Sequence, residues 1–183
     1  MTGHWQQLAR YIDAFAELTA RFVAWLTLAM VVITGTVVVL RYAFNTGSIA
    51  LQESVTYLHA AVFMLCAAYT LKHDAHVRVD IFYQRCSLRK RAWIDLLGTL
   101  LLLLPVCIFI LVSSIDYVSA AWAVREGSRE AGGLNGIYLL KTLIPVMAVL
   151  LLLQGIAQFI HNLLVITGRP ESPASGHGMD REI

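Results

Sequence analysis

Four stretches of this 183-residue chain carry no Asp, Glu, Lys or Arg: residues 22–40, 54–71, 96–115 and 142–160. A helix of that length reaches about 27–30 Å at 1.5 Å rise per residue, the thickness of a bilayer's hydrocarbon. Backbone N–H and C=O groups find no water there, so only helices or a closed barrel can span it. The period-two alternation that marks barrel strands does not occur in these runs. The expected fold class is therefore all-α, an integral membrane protein with four transmembrane helices. Composition agrees, because 14% charged residues is well below the roughly 25% with which a soluble domain covers itself. A net charge of +2 gives no reason to expect nucleic acid as a partner. Pro105 and Pro145 fall inside spans and predict kinks rather than breaks.

Charge placement predicts orientation. Ten Lys and Arg fall in the N-terminal segment, the middle loop and the C-terminal tail, against four in the first and third loops. Positively charged loops stay cytoplasmic, so both termini are expected on that side. The first apolar run starts near Phe22 and is long enough to cross the bilayer, which reads as an uncleaved first helix rather than a signal peptide. Before it, Leu8, Tyr11, Ile12, Phe15, Leu18 and Phe22 recur at helical spacing, as in an amphipathic interfacial helix. An extension of the first span into the cytoplasm fits equally. The expected organisation is an amphipathic segment over 1–21, a four-helix membrane domain over 22–168 and a disordered cytoplasmic tail over 169–183.

Candidates for chemistry are few. Cys66 and Cys107 lie inside spans and Cys86 in the cytoplasmic loop, without metal-ligand spacing. His59 and His161 differ by roughly 20 Å in expected depth, too far for one haem to bridge. No metal, cofactor or catalytic residue is therefore expected, and the chain does not read as an enzyme. Glu53 at the outer mouth of the second span is the most informative carboxylate. Its nearest expected partner is Arg41, which ends the first span beside Tyr42, so the pair could clamp the first outer loop. A proton or cation relay, or simple solvation of both, are the alternatives. Gly35, Ala60, Ala61, Ala67, Ala68 and Gly98 allow close helix approach within the bundle or against a partner. The polar residues inside the spans are scattered in depth and form no evident path. Secondary transporters that work alone usually have broken helices and midplane polar groups.

Several motifs resemble one family. Arg41-Tyr42 closes the first span and Gln52-Glu53 opens the second. Ala68-Tyr69-Thr70-Leu71-Lys72 leads to His76-Val77-Arg78-Val79-Asp80, and Arg89-Lys90-Arg91-Ala92-Trp93 leads into the third. Together these resemble the small membrane subunit of tripartite ATP-independent periplasmic (TRAP) transporters over most of residues 22–160. The resemblance implies a non-catalytic scaffold in the bacterial inner membrane. Its implied partners are a large membrane subunit and a periplasmic substrate-binding protein, and the implied process is sodium-coupled uptake of a small solute, often an organic acid anion. Arg41, Tyr42, Glu53, Lys72, His76, Arg78 and Asp80 match family positions and are expected to order loops or meet the partner, with Asp80 pairing with Arg78 or Lys72. Arg125, Glu126, Arg129 and Glu130 are candidates for docking the periplasmic protein. Arg89, Lys90 and Arg91 are expected to meet anionic lipid headgroups, and Trp25, Trp93 and Trp122 to anchor at the interfaces. The rival classes are a small homo-oligomeric proton-coupled exporter using Glu53 and a membrane haem-binding electron carrier.

Overall fold

The computed structural model describes residues 2–76, 83 and 86–168. The expected roles of Arg78 and Asp80 and the expected disordered tail over 169–183 lie outside the described residues. Five α-helices are bounded within the described residues: α1 (Thr2–Ala43), α2 (Ile49–Lys72), α3 (Leu88–Gly98), α4 (Leu104–Ala123) and α5 (Ile137–Ile166). A π-helical turn over Thr99–Leu103 joins α3 to α4 without a loop, so the two act as one long span. Among the described residues, four helices are thus long and apolar enough to cross a membrane.

The helix ends follow from local chemistry. Ser48 precedes α2 and accepts a hydrogen bond from Leu51 N at 3.4 Å, supplying a first-turn N–H with a partner. At the other end of α2 the chain turns through Asp74, at φ 53°, and at the end of α5 through Gly168, at φ 73°. Glycine meets no steric penalty in that left-handed region, whereas Asp tolerates it through its short polar side chain. The expected kink near Pro105 takes the form of the π-turn. Leu104 N bonds back five residues to Thr99 O, and Pro105, which has no N–H to give, enters in the first turn of the helix that resumes.

Helix α5 packs against every other helix, while α1 and α2 pair with each other on one side of it and α3 and α4 lie on the other. Its buried residues are Ala148, Leu150, Gln154, Gly155, Ala157, Ile160 and Leu164. At Gly155 an added Cβ would stand 3.3 Å from Leu104 Cδ2 and closer still to Leu103 Cδ2, so the absence of a side chain lets α5 approach the π-turn. The outward faces are apolar: Phe63, Leu101, Leu102, Phe109 and Val112 are each more than 60% exposed, as expected where hydrocarbon rather than water is the solvent.

The first helix resolves one alternative. Residues 2–43 form one continuous helix about 63 Å long, with no break between the N-terminal segment and the span. The N-terminal apolar stripe does not face the bundle. Tyr11, Phe15, Leu18 and Phe22 are more than half exposed, while small Ala9 and Ala16, with Val23, are buried at seven-residue spacing. Ala9 and Ile12 pack on Ala157, Ile160 and Leu164 of α5. Small side chains win the inner face because they let two helix backbones come close.

Candidate functional site

The polar contacts between helices gather at the two ends of the bundle. At the end that charge placement predicts to be cytoplasmic, called the inner end for that reason and marked by the start of α1 and the ends of α2 and α5, Asp13 is the centre. Its carboxylate accepts from Gln154 Nε2 at 2.8 Å and from His161 Nε2 at 2.9 Å. Lys72 Nζ donates to the Asp13 carbonyl at 3.3 Å and pairs with Glu17 at 3.0 Å. Glu17 also receives His73 Nε2 at 3.4 Å, and the His73 ring lies 4.3 Å from that of Tyr69. Gln158 reaches from α5 to Asp74 at 3.5 Å. Three helices, α1, α2 and α5, are joined by this network. Asp13 and Glu17 stand one helical turn apart and so face the same way, and Gln154 and His161 are two turns apart on α5 with the same result.

The partner found for Lys72 is therefore Glu17. His76 is exposed just beyond α2. Arg89 and Lys90 are exposed on the first turn of α3, but Arg91 is half-buried. Its Nε donates to the Cys86 carbonyl at 3.0 Å and its guanidinium lies 5.3 Å from the centre of the Tyr83 ring. Arg91 thus serves the turn into α3. The Tyr83 hydroxyl donates to Asp95.

At the outer end, Glu53 does not form the expected clamp with Arg41. Its two carboxylate oxygens accept from the Ser128 hydroxyl and from Leu134 N, the latter at 2.6 Å. Glu53 therefore orders the loop between α4 and α5, not the loop between α1 and α2. The physical reason is valence: the loop offers a hydroxyl and a free backbone N–H together, which match both oxygens of one carboxylate. The loop is also closed on itself, by Ser128 N to Leu134 O at 3.0 Å and Gly133 N to Glu130 O at 3.0 Å. A Cβ on Gly133 would stand 2.8 Å from Glu53 Oε2 and collide with Ser128, so only glycine fits between them. Arg41 and Tyr42 are exposed, and Arg41 has no ion pair among the described residues.

Glu126 is spoken for as well. It pairs with Lys141 on the first turns of α5, and Lys141 Nζ lies 4.0 Å over the Tyr117 ring. Trp122 Nε1 donates to Thr142 Oγ1 at 2.9 Å, and its ring meets Tyr138 edge-on. These contacts tie the outer ends of α4 and α5 together. Arg125, Arg129 and Glu130 remain exposed on the loop. Among the described residues, no three His, Cys, Asp or Glu side chains are grouped as a metal ion would need.

A membrane bundle braced at both ends, with the loop motifs described above, meets a family match at this point. The family model for tripartite ATP-independent periplasmic transporters, DctQ component, matches residues 30–164. The chain belongs to that family. It is a membrane component of a TRAP transporter. No curated protein and no solved structure matches it. The matched stretch takes in the whole outer clasp and the α2 and α5 members of the inner network, while Asp13 and Glu17 precede it. Sequence reasoning weighs Glu53, Lys72 and His161 individually, but misses Ser128 and Leu134 N as partners of Glu53, Glu17 as that of Lys72 and Asp13 as that of His161.

Proposed function

We propose that this chain is the small permease subunit of a TRAP transporter, a non-catalytic scaffold that pairs with a large membrane subunit. The transporter takes up a small solute, an organic acid anion, delivered by a periplasmic binding protein and driven by sodium. The chain is placed in the bacterial inner membrane with both termini cytoplasmic, as its charge asymmetry supports. The observation that carries the scaffold reading is the distribution of polar contacts. The interhelical ion pairs lie at the two ends of the bundle, Glu17 with Lys72 and Glu126 with Lys141, and the four spans between are free of Asp, Glu, Lys and Arg. Such an arrangement stiffens a bundle at its ends while leaving its middle apolar, which suits a stationary support better than a path for an ion.

Two smaller assignments belong to this reading. The loop held by Glu53 presents Arg125, Arg129 and Glu130 to the outside as a docking surface for the binding protein, with Glu126 serving to fix it. Arg89 and Lys90 meet anionic headgroups at the inner face, where each basic residue contributes about 1 kcal/mol. The test is co-expression with the large membrane protein encoded beside this chain, followed by detergent extraction, size exclusion and uptake in proteoliposomes with the binding protein added. Recovery of a stable pair whose sodium-driven uptake requires this chain supports the reading. Uptake by this chain alone refutes it.

A further inference from the structure

The exposed face of α2 differs from those of α1 and α4 in carrying polar side chains, within the span, that are not bonded to their own helix. Between Gln52 and Phe63 its exposed residues are Gln52, Thr56, His59 and Phe63, spaced four, three and four apart, which places them in one stripe. Three of them are polar, whereas exposed hydroxyls within the spans of α1 and α4, Thr34, Thr36 and Ser113 among them, are bonded to their own helix backbone. His59 is ten residues from Ile49 and thirteen from Lys72, or about 15 and 20 Å along the helix. It lies near the midplane. Neither Thr56 nor His59 has a hydrogen-bond partner among the described residues. Lipid tails offer neither donor nor acceptor, so an imidazole left against them keeps an unsatisfied N–H and ring nitrogen at a large cost.

The stripe forms one wall of a groove of about 440 Å³, whose other wall is Met30, Val31 and Thr34 of α1. Thr34 gives its hydroxyl to Met30 O at 2.7 Å, so it makes no demand on a neighbour. Beside it, an added Cβ on Gly35 would meet nothing within 4 Å, and the groove is open to a close-packed helix there. A second copy of this chain fills it poorly. A two-fold contact over this face sets groove against groove, and neither copy supplies the ridge that either lacks.

We propose that the groove between α1 and α2 seats a transmembrane helix of the large membrane subunit, and that His59 hydrogen-bonds a polar group of that helix near the midplane. This rests on the pairing proposed above and specifies its face. The experiment uses the full chain co-expressed with the large membrane protein. The photo-crosslinker benzoylphenylalanine replaces Thr56 or Val31 in one set and Phe109 or Val112, on the opposite flank, in another. Crosslinks to the large subunit from Thr56 and Val31 but not from Phe109 or Val112 are expected. In parallel, His59→Leu is expected to lower recovery of the large subunit about tenfold, because the polar group it met is left unpaired in hydrocarbon, while His59→Gln holds it within about threefold. Crosslinks only from the α4 positions, a homodimer adduct from Thr56, or a pair indifferent to His59→Leu would each overturn the assignment. If the unsubstituted chain recovers no large subunit, the pairing itself fails, and the crosslinking pattern is not what refutes it.

Discussion

Replacing Asp13 with Ala tests the inner network at its centre. Gln154 is 2% exposed, and its Oε1 already has no partner. Without Asp13 its Nε2 loses its acceptor too, and the whole amide is left buried and unpaired. A buried donor stranded in this way costs about 1–3 kcal/mol. The His161 side chain is 32% exposed, so water or a headgroup replaces part of what it loses, adding roughly 0.5 kcal/mol. The sum is about 1.5–3.5 kcal/mol, above the ~0.6 kcal/mol average for interhelical hydrogen bonds in membrane bundles, because Gln154 has no second route to a partner. Gln154→Met removes donor and orphaned acceptor together but takes one donor from Asp13, and is expected to cost about 1 kcal/mol. In that background Asp13→Ala should cost only about 0.5 kcal/mol, leaving a coupling of roughly 1–3 kcal/mol. Reversible unfolding by SDS in mixed micelles, followed by circular dichroism, measures all four corners of the cycle. Equal cost of Asp13→Ala in both backgrounds would refute the reasoning, since it would show that Asp13 and Gln154 do not depend on each other.

Other outcomes are expected from the same geometry. Glu53→Gln and Gly133→Ala should each free the outer loop, the first by weakening the acceptors of Ser128 and Leu134, the second by wedging them apart. Faster amide exchange over residues 128–136, with no change in the α1–α2 turn, is the result that distinguishes this clasp from one made with Arg41. Trp122→Phe keeps the ring against Tyr138 but loses the bond to Thr142; a destabilisation of about 0.5–1.5 kcal/mol in the SDS assay is expected. For orientation, a cysteine replacing Arg129 should react with a membrane-impermeant maleimide in intact spheroplasts. One replacing Arg89 should react only after permeabilisation, and the reverse pattern would invert the topology.

The spans were legible because hydrophobic length is a one-dimensional signal, and hydrocarbon leaves the backbone no alternative to the helix. The same signal left α1 open between an interfacial helix and an extension of the first span. A periodic stripe of Leu, Tyr and Phe marks an amphipathic face, but in a membrane the large apolar side chains need not turn inward. Lipid accepts them, and Ala9 and Ala16 take the packed side because they are small. Partner choice was the least legible. Arg41 is near Glu53 in the sequence, and opposite charge made it the natural expectation. What decided the pairing was the shape of a loop 75 residues away, in which Ser128 and Leu134 N converge on one carboxylate. The Glu17–Lys72 pair spans 55 residues. Both residues were visible, but nothing local in either sequence neighbourhood announces the other.

The central place of α5 has a consequence for how the bundle is made. Helices are delivered to the membrane in chain order, and α5 comes after the other four. Until residues 137–166 have entered, α1 and α2 have only each other, and α3 and α4 have no surface to close against. Asp13 then lacks Gln154 and His161, and Glu126 lacks Lys141. The nascent chain therefore waits in the bilayer as two loosely related halves with their half-buried acids unmet. The arrival of its last span is the event that joins them.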